Sequence, residues 1–239
     1  RPKMEALDID YETYGFKQIA RKMEVTPRVP KAYTTEVIYD KGQFTSLQDC
    51  INKAQSETAI KIPEGVYDEK ISITKDIHLI GQGKVIFKAP KDDECIFVSS
   101  AEVNIEGIKF KGNEGCKAPA GAFINCCVRM VDCSFSKTAV MAILFEGSSC
   151  ATIERCKFKK ANVCGSFSDD TKVLVRSSTF EKGQIFGLYL QKNTTVYVED
   201  STFAKNGDSG ICMSEMASLT ILNSNIVENG KKGFDITSK

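Results

Sequence analysis

Hydrophobic and polar residues alternate in short bursts through most of the chain, and the bursts recur. The segments VNIEGIKF (103–110), VRMVDCSF (128–135), ATIERCKF (151–158), VLVRSSTF (173–180), VYVEDSTF (196–203) and LTILNSNI (219–226) align without gaps, with starts 25, 23, 22, 23 and 23 residues apart. Each is followed by a turn rich in Gly, Asn, Lys or Ala and then by one more short run: AFI (122–124), ILF (143–145), GSF (165–167), LYL (188–190), ICM (211–213) and FDI (234–236). A period of two sends every second side chain to one face of a strand. Three such strands in 22 to 25 residues leave no room for a helix, so each repeat predicts one coil of a solenoid.

Coils stacked about 4.8 Å apart pair equivalent strands in parallel and pile equivalent residues into files. Four files are predicted to face inward. One is aromatic (Phe110, Phe135, Phe158, Phe180, Phe203, Ile226) and its neighbour is small (Ile108, Cys133, Cys156, Ser178, Ser201, Ser224). The others are Ile105, Met130, Ile153, Val175, Val198, Ile221 and Ile124, Phe145, Phe167, Leu190, Met213, Ile236. Leucine-rich repeats share the period, but the places where they need Leu hold Val, Ile, Phe, Cys or Ser here. A hexapeptide helix would need a six-residue rhythm, which the sequence lacks.

The run FTSLQDCINKAQSETAIKIPEGVYDEKISITKDIHLIGQG (44–83) resembles the opening of right-handed parallel β-helices of the pectin-lyase-like type, with a capping helix, a strand, a Pro-Glu-Gly-x-Tyr turn and the first coil. Gly210-Ile211-Cys212-Met213 and Ser218 to Ser224 are similar to repeats of carbohydrate-binding and sugar-hydrolase β-helices. The resemblance implies an all-β, right-handed parallel β-helix. One β-helix domain is expected over residues 37–239, preceded by an extension, partly helical or irregular, over 1–36. Thr45-Ser46-Leu47-Gln48 fits a capping box, and Leu47, Cys50, Ile51 and Ala54 form the apolar face of a helix over about 45–56. That helix would plug the open parallel edge of the first coil. In the extension, Tyr14 to Met23 is amphipathic.

Composition narrows the partners. The chain has 239 residues, 42% hydrophobic and 26% charged, as in ordinary globular proteins. Lys and Arg total 32 against 31 Asp and Glu, so neither nucleic acid nor an anionic membrane is an expected partner. Ten cysteines contain no CxxC, and the one histidine, His78, is far in sequence from their densest cluster, so no metal site and no other cofactor is expected. Scattered thiols fit small buried side chains in a reducing, cytoplasmic setting. Cys127 and Cys150 share a register one coil apart, as do Cys133 and Cys156, within the span of a disulfide, although reduced stacking is the expectation. The sequon Asn193-Thr194-Thr195 would matter in a secreted chain.

The resemblance implies that any catalysis sits in a groove outside the sheet built by the short second runs. Its outward column is expected to be Phe123, Leu144, Ser166, Tyr189, Cys212 and Asp235. Glycoside hydrolysis needs two carboxyl groups. Where the polygalacturonase pattern has its Asp and His motifs, this chain reads Gly207-Asp208-Ser209, Gln184-Ile185-Phe186 and Lys231-Lys232. Lyase chemistry on uronates needs a neutralised carboxylate and a base. Glu146, Asp169, Asp170 and Glu215 are the acidic candidates, with Arg129, Lys172 and Lys192 as bases. Against that, Asp in turns bonds nearby amides. His78 reads as a structural histidine, and Arg155, Lys157, Lys159 and Lys160 as a solvated strand face. The leading expectation is therefore a non-catalytic scaffold module of a larger intracellular protein. It would bind another protein through Phe123, Leu144, Tyr189, Cys212 and Asp235. The alternative is a polysaccharide-active lyase, epimerase or hydrolase, or a glycan binder, in which Glu146, Asp169 and Asp170 act.

Overall fold

Parallel pairing between equivalent segments organises the whole chain. The structure, a computed structural model, describes residues 33–214 and 216–237. Most of the expected extension, with Tyr14 to Met23, lies outside the described residues. Every strand pair is parallel, as in Phe110↔Phe135↔Phe158↔Phe180↔Phe203↔Ile226. Two walls belong to one fifteen-stranded sheet because the long strands Ile77–Lys88 and Glu102–Lys111 run across the corner between them. An eight-stranded sheet forms the third wall. The fold is thus an all-β parallel β-helix.

The predicted aromatic file is present and longer than the repeats suggested. Successive rings from Tyr67 through Phe87, Phe110, Phe135, Phe158 and Phe180 to Phe203 stack with centroids 4.6–5.7 Å apart. Tyr67 heads it and donates its hydroxyl to Pro63 O at 2.7 Å, which accounts for the Pro-Glu-Gly-x-Tyr turn.

The small file beside it does more than fill space. At the corner that follows each strand of the first wall the chain passes through a left-handed residue, Asp132, Arg155, Ser177, Asp200 or Asn223, with φ between 47° and 53°. Such a corner exposes backbone groups to a dry interior, where each needs a partner. Ser178 Oγ accepts from Cys156 N at 3.0 Å and donates to Arg176 O at 2.8 Å; Ser201 and Ser224 repeat the pattern. Cys133 and Cys156 donate their thiols to Val131 O and Glu154 O at 3.3 Å. A second ladder, not anticipated from the sequence, links Asn206 and Asn229. Asn229 Oδ1 accepts from both N and Nδ2 of Asn206, at 3.0 and 2.9 Å. Its signal was the Asn-Gly pair recurring after 23 residues, at 206–207 and 229–230.

A helix, α1 (Leu47–Lys53), caps the first coil, shorter than expected. Its N-cap is Ser46, whose side chain accepts from Asp49 N, so the box lies one residue later than Thr45 to Gln48. Leu47, Cys50 and Ile51 are buried. Gln48 blunts the free edge of strand Ile71–Ile73: Ser72 N donates to Gln48 Oε1 at 2.6 Å, and Gln48 Nε2 donates to Ser72 O at 3.0 Å. One amide side chain thereby replaces a strand neighbour. Strand Thr35–Ile38, parallel to Thr58–Ile62, begins two residues before the expected domain boundary.

Two expectations are corrected. Phe123 does not face outward: it is fully buried, stacks on Phe145 at 4.6 Å and pairs in register with it. The step into this coil is the long one, and aligning AFI with ILF slipped the strand by one residue, which exchanges its faces. Ile124 accordingly leaves the inward file, and Ala122 stands beside Leu144. The thiols are not all reduced either. Cys127 and Cys150 are joined by a disulfide, with Cα atoms 4.6 Å apart. The other eight cysteines are buried.

Because coils support only their neighbours, the cost of a cavity should depend on position. Phe158→Ala in mid-stack is expected to cost about 3–5 kcal/mol, and Ile226→Ala, half-exposed near the end of the stack, about 1–2 kcal/mol. Urea denaturation of both variants checks this; equal losses would contradict it. Opening the Cys127–Cys150 bridge, which closes a loop of sequence separation 23, should cost about 3 kcal/mol. The Cys127→Ser/Cys150→Ser protein should match the reduced wild type in the same measurement.

Candidate functional site

The outer face of the eight-stranded sheet carries the residues that sequence reasoning chose. Leu144, Ser166, Tyr189, Cys212 and Asp235 form one register column, with Ala122 in place of Phe123. Leu144, Tyr189 and Asp235 are half-buried, whereas Ser166 and Cys212 are 5% and 3% exposed, floors between taller neighbours. Burial pushes the Cys212 thiol up, with Asp235 adding to the effect. Asp235 is held by Lys232 at 2.6 Å.

Two groups missed from the sequence complete this face. Gln191 Nε2 donates to the Tyr189 hydroxyl at 2.8 Å, which fixes the phenol. The Phe186 ring lies 5.5 Å from that of Tyr189 at 37°. Strand Phe186–Leu190 breaks its alternation at the start, since Gly187 and Leu188 are both buried, and Phe186 thereby comes round to the side of Tyr189. Only glycine fits at 187, where a Cβ would stand 2.5 Å from Gly210 O. That Gly, directly before the inward Leu188, was the available signal. Together the two rings make a part-exposed aromatic platform with Leu144 two coils below and Asp235 two coils above Tyr189.

The acidic candidates lie at the turn after this sheet. Asp169 has φ 63°, in a file of left-handed turn residues with Asn125, Gly147 and Lys192. Gly147 N donates to its Oδ2 at 2.9 Å, and Lys192 bonds its Oδ1. The lysine, then the amide, hold the Asp169 carboxyl below the usual carboxylate range. Asp170 accepts from Asn193 Nδ2 at 3.1 Å. Glu146 ends the neighbouring coil's strand, directly before the Gly147 whose amide bonds Asp169. A general acid needs its pKa raised, and Asp169 has the opposite shift. Its geometry is that of a turn ladder. Glu215 lies outside the described residues. Arg129 sits on another wall, and Lys172 opens strand Lys172–Arg176.

That other wall holds a second row. His78 Nε2 is 3.2 Å from Glu106 Oε1, and Arg129 bridges Glu106 at 3.1 Å and Glu154 at 3.2 Å. Tyr33 packs on the imidazole at 5.6 Å and accepts from Asn104 Nδ2 at 3.2 Å. Burial lowers the His78 pKa from 6.5, Glu106 opposing it and Arg129 adding to it. The neutral imidazole therefore favours the folded state, and its contribution, full above pH 6.5, fades as the pH falls through the depressed pKa. Among the described residues no three His, Cys, Asp or Glu side chains are arranged to hold a metal ion.

NMR titration of the chain's lone histidine should give a midpoint below 6.5, and Glu106→Gln should lower it further. A wild-type midpoint at or above 6.5 would refute the burial argument.

Comparison with known proteins reaches the same architecture. Residues 94–239 match the family described as a right-handed β-helix region. No curated protein sequence matches the chain. Among solved structures, the Dettilon tailspike protein aligns with TM-score 0.62 at 12% identity, over 84% of this chain and 46% of the tailspike. The ORF18 protein of Geobacillus virus E2 aligns with TM-score 0.55 at 12% identity, over 100% of this chain and 64% of its own. This chain thus spans about half of the first and under two thirds of the second. Pectin methylesterase PemA from Erwinia chrysanthemi aligns with TM-score 0.48 at 12% identity, over 80% and 81%. At these identities the likeness is one of fold alone. With more than half its length matched, the chain belongs to the right-handed β-helix family.

Proposed function

We propose that this protein binds a glycan on the outer face of its eight-stranded sheet. The observation that carries the reading is the Phe186–Tyr189 platform, with Tyr189 clamped by Gln191. The face of an aromatic ring is electron-rich and attracts the polarised C–H groups on one side of a pyranose. A phenol already fixed by a hydrogen bond loses little side-chain freedom when it binds. Around it, Asp235 and Gln191 supply acceptors and donors for sugar hydroxyls, as a carbohydrate site needs. A long, flat wall of parallel strands suits an extended chain.

The reading stops at binding. The acidic residues nearby are committed to turns and ion pairs: Asp169 to Gly147 and Lys192, Asp208 to Lys231, Asp235 to Lys232. The competing view, a protein-docking wall, drew on an apolar column of Phe123, Leu144, Tyr189 and Cys212. With Phe123 turned inward and Cys212 buried, little apolar surface is left there for a protein partner.

Tyr189→Ala should abolish retention on immobilised neutral glycans while leaving the circular dichroism spectrum and urea midpoint near wild type, whereas Asp169→Asn should leave that retention unchanged. Retention that survives Tyr189→Ala would sink the reading.

A further inference from the structure

The wall built from strands Ser134–Ser136, Lys157–Lys159 and Thr179–Glu181 carries a notch of different character. Two outward columns run along it. One reads Ile86, Lys109, Ser134, Lys157, Thr179, and the other Lys88, Lys111, Ser136, Lys159, Glu181. In both, a serine sits between two lysines. The lysine rows are two coil steps apart, about 10 Å, and the short serines leave a dip between them. The dip has a volume of about 360 Å³, lined by Lys84, Ile86, Lys109, Lys111, Ser134, Ser136, Lys157 and Lys159.

At several other places on the surface cations meet anions across coils: Arg155 pairs with Asp132, Arg176 with Glu199 and Lys231 with Asp208. Among the described residues, Lys157 alone of the lysines lining the notch is paired, with Glu181 at 2.9 Å. Lys84, Lys109, Lys111 and Lys159 have no carboxylate within ion-pair distance among the described residues. Like charges gathered around a concave floor raise a positive potential. The two serine hydroxyls on that floor add short donors.

The geometry points to an anion site, and we assign it to a negatively charged group, a carboxylate or sulfate ester, carried by a glycan. The ligand class rests on the glycan reading above, but the site lies on a different wall and uses none of its residues. A nucleic acid fits less well. The two columns that line the notch give way to Thr179 and Glu181 one coil further on, and the lysines that continue beside them, Lys137, Lys160, Lys182 and Lys205, stand on the left-handed turn outside its lining. The chain as a whole is near neutral.

Isothermal titration of the full chain with oligogalacturonate, sulfated dextran oligomer, neutral dextran and single-stranded oligonucleotide tests this. Binding of either acidic glycan, salt-sensitive and at least about tenfold tighter than that of neutral dextran, is expected; which one binds identifies the charged group. Lys109→Gln/Lys111→Gln/Lys159→Gln should weaken it about ten- to a hundredfold, and Lys231→Gln, an already paired lysine, should not. Ser134→Lys separates a notch from a mere patch of charge: it adds a charge but fills the floor, and should weaken binding. Tyr189→Ala should leave this charge-dependent component intact, so that failure here and failure of the aromatic face are told apart. Unchanged binding in the triple variant, stronger binding in Ser134→Lys, or preference for the oligonucleotide would overturn the proposal.

Discussion

The whole molecule depends on one constraint: parallel backbone pairing that holds each coil about 4.8 Å from the next in fixed register. Under that constraint a side chain is never judged alone, since whatever stands at one position is set against its equivalents above and below. An inward position must be acceptable as a stack, which is why rings lie on rings from Tyr67 to Phe203. A turn position must tolerate a left-handed residue in coil after coil, which is why Asn125, Gly147, Asp169 and Lys192 share one. Interior and corners are thereby committed to the fold. Only the outward columns are free to carry function.

The corners show how tightly that commitment is drawn. A sharp bend in every coil leaves backbone groups facing the dry core, and an unpaired buried amide costs on the order of 1–3 kcal/mol. The protein meets this with short side chains that accept from one strand and donate to another. Serine does it in the last coils; cysteine takes the same place at 133 and 156 and donates its thiol. At these corners Cys133 and Cys156 serve as buried hydrogen-bond donors. They are weaker serines, chosen where more apolar bulk beside the aromatic file is useful. The bridge between Cys127 and Cys150 belongs to a different, half-buried register and joins two coils directly.

The sequence revealed the architecture almost completely because the repeat multiplies the signal. An alternation of four or five residues is ambiguous once and compelling at the sixth recurrence. It failed where the repeat itself is irregular. The loop after Phe110 lengthened one step to 25 residues, and the face of Phe123 was misread by a single position. At Phe186 the alternation breaks, so the ring that completes the aromatic platform stood outside the run 188–190 and carried no signal in the repeat. Asp169 was legible as an acidic turn residue but not as a ladder rung, because its partners, Gly147 N and Lys192, are one coil away on either side. Chemistry that runs between coils is invisible to any reading that proceeds along one.

The same stacking also makes charge informative. Where two coils place opposite charges in register, as at Arg129 between Glu106 and Glu154, the pair satisfies itself and lends the wall modest stability. Where they place like charges in register, the solenoid bears a repulsion that folding does not relieve. A repeat protein can dilute such a column by substituting at any coil, as where Arg155 pairs with Asp132 and Arg176 with Glu199. The notch is not diluted in this way: two adjacent columns keep the lysine–serine–lysine step, and the turn column beside them reads Lys137, Lys160, Lys182 and Lys205. Stability alone gives no reason for it, whereas attraction to an anion that is absent from the isolated chain does.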